Sequence, residues 1–206
     1  MLKIWGRPNS INVQKVMWTV AELGIAHERL DAGGAFGGLE TDAYTALNPN
    51  RRIPVVEDGE LALWESNAIV RYLAAKYGSG TLWPEDPGLR SLADRWMDWQ
   101  VTTLLPQLHV IFWGLIRTPE PARDNDKIAA AAEAIRPVWE LLDEHLRVRR
   151  FVGGPEFTMG DIPLGCAYWR YRNLPVERPS LPRIEHWYSR LEERPAYRQH
   201  VMLPVT

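Results

Sequence analysis

Cysteine is almost missing from this chain: of 206 residues, only Cys166 carries a thiol. An intrachain disulfide is therefore excluded, as is any Cys-x-x-Cys redox or zinc pair, and no metal is expected. Long apolar runs are missing as well, so no segment is expected to cross a bilayer. Met1-Leu2-Lys3-Ile4 lacks the extended apolar core of a signal peptide. An excess of either charge is also missing. The formal net charge of −2 gives no broad electrostatic basis for binding nucleic acid or an anionic membrane. The densest basic run, Arg147, Arg149 and Arg150, follows the acidic Glu140, Asp143 and Glu144, the charge order of a solvated helix end. These absences leave a globular protein expected in a reducing cytoplasm.

A chain of this length has room for two small domains, each with its own core. Its ten tryptophans include two groups, Trp96, Trp99 and Trp113, then Trp139, Trp169 and Trp187. Large aromatics fill cores, and several along one helix can also line an apolar pocket.

The first 80 residues alternate strand and helix signals. Leu2 to Trp5 reads as a strand, and Val13 to Leu23 as a helix closed by Gly24, with Val13, Val16, Met17 and Val20 on one face. Ala26 to Leu30 reads as a second strand. After a glycine-rich connection with at most a short helix around Thr41 to Leu47, Ile53 to Val56 and Leu61 to Trp64 stand in hairpin spacing about Asp58-Gly59. A helix from Glu65 or Ser66 to Gly78 follows. The order βαβ, then ββα, is that of a thioredoxin-like domain. Residues 81–87 lie in a glycine- and proline-rich linker, and residues 88–206 read as all-helical, giving α/β followed by all-α. Pro106 is expected to kink the first long helix. Thr158 and Asp161 form a capping pair with a Phe157–Ile162 staple, and Pro163 is expected to distort the helix that follows.

Three pieces of the first domain bear on chemistry. Ser10 and Asn12 stand where a strand hands over to a helix. Unpaired N–H groups and the positive end of the macrodipole there suit an anion or a thiolate. Capping the helix is the simpler role for either residue. Pro54, opening a strand after a long loop, is a place for a cis peptide bond. Ile53 before it is expected to offer its backbone to an extended, peptide-like ligand. Glu65 and Ser66, at a second strand-to-helix junction, can receive an ammonium group and a carboxylate respectively. An α-amino acid end, a peptide backbone and a thiol together describe glutathione.

The chain resembles the cytosolic glutathione S-transferases over nearly its whole length. The likeness is carried by Pro8-Asn9-Ser10-Ile11-Asn12-Val13-Gln14-Lys15-Val16, Arg52-Ile53-Pro54-Val55, Glu65-Ser66-Asn67-Ala68-Ile69 and Thr158-Met159-Gly160-Asp161-Ile162, in family order and spacing. The resemblance implies a glutathione-binding domain over 1–80, a helical domain over 88–206, and a homodimer. Tyrosine-dependent classes carry Tyr near the end of the first strand, where this chain has Trp5. Ser10 and Asn12 instead match bacterial serine-type, theta- or nu-like members, and the cysteine of the omega and beta types is absent.

On this likeness Ser10 or Asn12 donates a hydrogen bond to the glutathione sulfur, and the thiolate attacks a small hydrophobic electrophile, a disulfide or a peroxide. Arg52 meets the glycyl carboxylate. Trp99, Thr103, Pro106, His109 and Trp113 are candidates for the electrophile pocket, with core packing as the competing role for Trp99. Core packing is equally the competing role for Thr103 and Pro106, and a packed or solvent-facing position for His109. Alternatives for the whole chain are a nu-like glutathione-dependent disulfide reductase or peroxidase, and a noncatalytic glutathione-binding protein of the same fold.

Overall fold

The computed structural model describes residues 1–206. Four short strands, β1 (Leu2–Trp5), β2 (His27–Leu30), β3 (Val55–Asp58) and β4 (Leu61–Trp64), form one sheet in the order β2-β1-β3-β4. β1 and β2 run parallel, as a strand–helix–strand unit requires, and β3 and β4 are antiparallel. Helices α1 (Ile11–Glu22) and α3 (Ser66–Tyr77) pack on the sheet, and α2 (Asp42–Leu47) lies in the connection to β3. Leu2, Ile4 and Val56 of the sheet meet Val13, Val16, Met17 and Val20 of α1 and Ile69 and Leu73 of α3 in a nine-residue core.

The expected amphipathic α1 is in fact buried on nearly every side, Gln14, Lys15 and Thr19 included. Its opposite face, with Ile11 and Trp18, joins Val70 and Ala74 of α3 in the 34-residue core of the helical domain. That shared helix explains why the two domains form one body. Gly165 sits where the helix Asp161–Arg172 crosses α1: a Cβ there would stand 2.8 Å from the Trp18 ring.

The second domain holds α4 (Pro87–Trp99), α5 (Leu105–Phe112), α6 (Asn125–His145), α7 (Asp161–Arg172), α8 (Pro182–Glu192) and α9 (Pro195–His200). Gln100–Leu104 and Trp113–Arg117 are π-helical turns on either side of α5. The expected disturbance at Pro106 thus takes the form of a wide turn just before it, which accommodates a residue with no N–H to return to the preceding turn. The expected distortion at Pro163 does not arise. Because α7 starts at Asp161, Pro163 falls within its first four residues, whose N–H groups have no intrahelical partner to lose.

Asp161 is fully buried and receives the Val152 N–H and the Thr158 N–H, each at 3.0 Å, and the Trp187 indole N–H at 2.9 Å. Burial pushes its carboxyl up to about 6, while these donors hold it down. Half of the expected capping box is therefore made, from Asp161 back to Thr158. The Thr158 hydroxyl does not cap in return: the Asp161 N–H donates to the Thr158 carbonyl.

Candidate functional site

Gly6 lets the chain leave β1 against α1. Its φ is +150°, and a Cβ there would stand 2.5 Å from Val13. The turn brings Ser10 to the N-cap of α1, in extended conformation (φ −82°, ψ 125°) with no side-chain capping hydrogen bond. The simpler role considered for Ser10 is thus not exercised, and its hydroxyl is uncommitted. Asn12 is the second residue of α1.

A cavity of about 340 Å³ opens at this corner, walled by Ser10 and Asn12, by Arg51, Arg52 and Ile53 before β3, and by His109, Phe112 and Trp113 near the end of α5. The Ile53–Pro54 bond is cis. Neither the amide nor the carbonyl of Ile53 takes a hydrogen bond within the chain, so both are available to a ligand. Two residues that sequence reasoning missed hold this loop: the Tyr44 hydroxyl and the Asn48 side-chain amide both donate to the Arg52 carbonyl at 2.8 Å.

Glu65 and Ser66 lie beyond the cavity lining, at the start of α3. Glu65 adopts φ +70° and ψ 107° and makes no capping hydrogen bond. Such a backbone costs about 1–3 kcal/mol in a residue with a Cβ and persists where surrounding structure enforces it. Arg51, with φ +53°, is the other non-glycine residue held at positive φ, so both strained positions flank the site. The Ser66 hydroxyl donates to the Asn12 side-chain oxygen at 3.2 Å, joining the two strand-to-helix junctions directly.

Beneath Ser66 lies Lys15, fully buried and without a carboxylate partner. Its ammonium donates to Asn67 Oδ1 and Gln100 Oε1, each at 3.1 Å, and to Ser66 Oγ at 3.4 Å. Burial lowers its pKa to about 8. A lone lysine one turn into an otherwise buried helix was a visible signal for it. Nearby Cys166 is buried, and burial pushes its thiol up to about 12; this thiol is neutral and inert.

Trp5 does not reach the cavity. Its indole N–H donates to Glu57 at 2.6 Å and its ring meets Tyr44 edge-on. Of the residues considered for the second pocket, His109 and Trp113 line the cavity, whereas Trp99, Thr103 and Pro106 do not. Trp99 packs edge-to-face on Trp96, and Thr103 and Pro106 are exposed. His109 has its pKa lowered by burial and by Arg170 and Arg52, so its ring is neutral near pH 7. Arg7, Arg117 and Arg170 are also among the lining residues.

A thioredoxin-like sheet with a shared first helix, an all-helical second domain and an open cleft between them define a glutathione transferase fold. Residues 1–75 match the family described as glutathione S-transferase, N-terminal domain, and residues 125–199 its C-terminal domain. The chain belongs to the glutathione S-transferase family and is an enzyme of that class. It is 41% identical to glutathione S-transferase GstB of Escherichia coli over the full length of both chains. A theta class glutathione S-transferase of Xanthomonas axonopodis pv. citri, solved with glutathione bound, is 48% identical. It superposes with a TM-score of 0.96 over 100% of this chain and 99% of its own. Glutathione S-transferase 3 of Zea mays is 29% identical, over 97% of this chain and 93% of its own length. No helix is long and apolar enough to cross a membrane.

Proposed function

We propose that this chain binds glutathione across the junction of Asn12 and Ser66 and activates its sulfur at the start of α1. The α-amino acid end sits at Glu65 and Ser66, the peptide backbone pairs with the free amide and carbonyl of Ile53 ahead of Pro54, and the glycyl carboxylate meets Arg52. The sulfur then lies at Ser10 and Asn12. The observation that carries this reading is the uncommitted Ser10 hydroxyl at a helix N-cap facing the cavity. The Xanthomonas relative's bound glutathione supports it by likeness.

Lowering a thiol pKa by about two units requires about 2.7 kcal/mol in favour of the thiolate. One charge-assisted hydrogen bond and a helix N-terminus are of that size. The thiolate attacks the electrophilic carbon of a second substrate whose apolar body rests against Phe112 and Trp113. The carbon–sulfur bond forms as the leaving group departs with its electron pair, and no covalent enzyme intermediate is required.

A homodimer is part of the same reading. Leu61 and Trp64 on the edge strand β4 and Leu89 and Leu92 on α4 are 40–56% exposed, an apolar set that a second copy of the chain would cover. Titration calorimetry with glutathione, paired with turnover of an aryl halide, a small disulfide and an organic hydroperoxide, tests the reading. Binding with aryl halide turnover is the expected result, and no measurable heat of binding contradicts it.

A further inference from the structure

The cavity beside Ser10 is more cationic than glutathione needs. Five arginines, Arg7, Arg51, Arg52, Arg117 and Arg170, are among its 16 lining residues, and no aspartate or glutamate is. None of the five forms an ion pair, although the chain as a whole has a net charge of −2. Elsewhere Arg29, Arg71, Arg183 and Arg194 have all found carboxylates. Like charges gathered without a counterion repel one another, and this arrangement becomes favourable when an anion enters.

Three of the five form a group on the α5 and α7 side of Ser10. Arg170 lies with its guanidinium 4.0 Å from the centre of the Phe112 ring and donates to the Asn9 carbonyl at 3.3 Å. Arg7 donates to the Asn9 side chain at 2.7 Å, and its Nε is buried with no hydrogen-bond partner. Arg117 hangs from the π turn after α5 with its guanidinium 5.6 Å from the Phe112 ring centre and no hydrogen bond of its own. Burial and the positive charges of Arg117 and Arg7 lower the pKa of Arg170 to about 10. Burial and Arg117 likewise lower that of Arg7.

In the binding mode proposed above, on which this inference rests, the glycyl carboxylate and the thiolate place two negative charges in the cavity. Arg51 and Arg52, beside Ile53, stand on the glutathione side. Arg7, Arg117 and Arg170 remain, past the sulfur and next to the flat wall of Phe112 and Trp113.

We propose that the second substrate is an electrophile bearing a carboxylate, its apolar body on Phe112 and Trp113 and its anionic group held by Arg7, Arg117 and Arg170. The thiolate attacks the electrophilic carbon, a carbon–sulfur bond forms and the carbon–halogen bond breaks. The halide leaves with the bonding pair, and the thiol proton has already gone to solvent.

The test compares 4-chloro-3,5-dinitrobenzoate with its carboxamide, which share a ring and a leaving group. Each enzymatic kcat/KM is divided by the uncatalysed rate with glutathione to remove the difference in intrinsic reactivity. The normalised value is expected to be about tenfold or more higher for the carboxylate, with the preference shrinking as salt is raised. Arg117→Met lowers the carboxylate-to-amide ratio about tenfold, and Arg117→Lys retains most of it. A ratio at or below one in the wild-type enzyme, or a ratio unmoved by Arg117→Met, overturns the proposal. If glutathione binds by calorimetry and neither compound turns over, the substrate proposal alone has failed. If glutathione does not bind, the underlying reading has failed first.

Discussion

The hydroxyl of Ser66 donates to the side-chain oxygen of Asn12 at 3.2 Å, so the first turns of α1 and α3, 54 residues apart in the chain, share one hydrogen bond. With its oxygen committed there, Asn12 has its NH₂ group free to point donors at a ligand. Ser66 in turn is a joint between the proposed carboxylate seat and the sulfur corner. Asn12→Ala removes this joint and one donor. It is expected to lower kcat/KM for glutathione roughly tenfold, with part of the loss in KM, as the loss of about 1.4 kcal/mol from a partly buried hydrogen-bonding group dictates. Steady-state kinetics at varied glutathione checks this, and unchanged constants contradict it.

Glu65 is held at φ +70° without acting as a cap. Glu65→Gly relieves the backbone while deleting the carboxylate proposed to meet the glutathione ammonium. The variant is expected to be more stable by about 1 kcal/mol, net of glycine's greater freedom when unfolded, and to bind glutathione about tenfold more weakly. Urea denaturation and calorimetry read the two effects separately. A gain of stability with unchanged affinity would separate the strain from glutathione binding, and a loss of stability would contradict the strain itself.

Much of this was legible in the residues. The order of β1 to β4, the corner at Ser10 and the junction at Glu65 follow from strand runs, turn residues and a helix start, all of which are local. The face of the long helix was not. Placing Trp99, Thr103 and Pro106 beside His109 and Trp113 assumes 3.6 residues per turn throughout. The π turn at Gln100–Leu104 changes the register, so side chains on either side of it point in different directions. Arg7, Arg117 and Arg170 come from the β1–α1 turn, the π turn after α5, and α7, and no spacing along the chain shows that they meet. Lys15 was visible as a charge in an apolar helix, but its three oxygen partners arrive from α3 and from Gln100 in the second domain.

Lys15 gives the fold a pH signature. Its pKa falls from 10.5 to about 8 on burial, so between those values the unfolded chain binds more protons than the folded one. Stability relative to a chain lacking this group therefore rises with pH across that window and is flat below it. The difference between wild type and Lys15→Met, from urea midpoints between pH 7 and 10.5, is expected to shift toward wild type by about 2–3 kcal/mol. A difference independent of pH contradicts the assigned burial penalty.

Asp161 holds the Val152 and Thr158 amides and the Trp187 indole, all buried. Asp161→Ala strands these donors and is expected to cost about 3–5 kcal/mol, lowering Tm by roughly 10 °C in a chain of this size. Asp161→Asn, which keeps one acceptor, falls between. Differential scanning calorimetry on both variants checks the order, and a shift of less than about 2 °C for alanine would show that water replaces the carboxylate.

The central claim is that the start of α1 ionises the glutathione thiol through Ser10. Ultraviolet absorbance of the thiolate, followed against pH in the enzyme–glutathione complex, measures it directly. Wild type is expected to titrate about two units below a free thiol near 8.5, and Ser10→Ala to lose at least about one of those units while still binding glutathione. A bound thiol with the same pKa in wild type, Ser10→Ala and the Ser10→Ala/Asn12→Ala double variant would contradict the account.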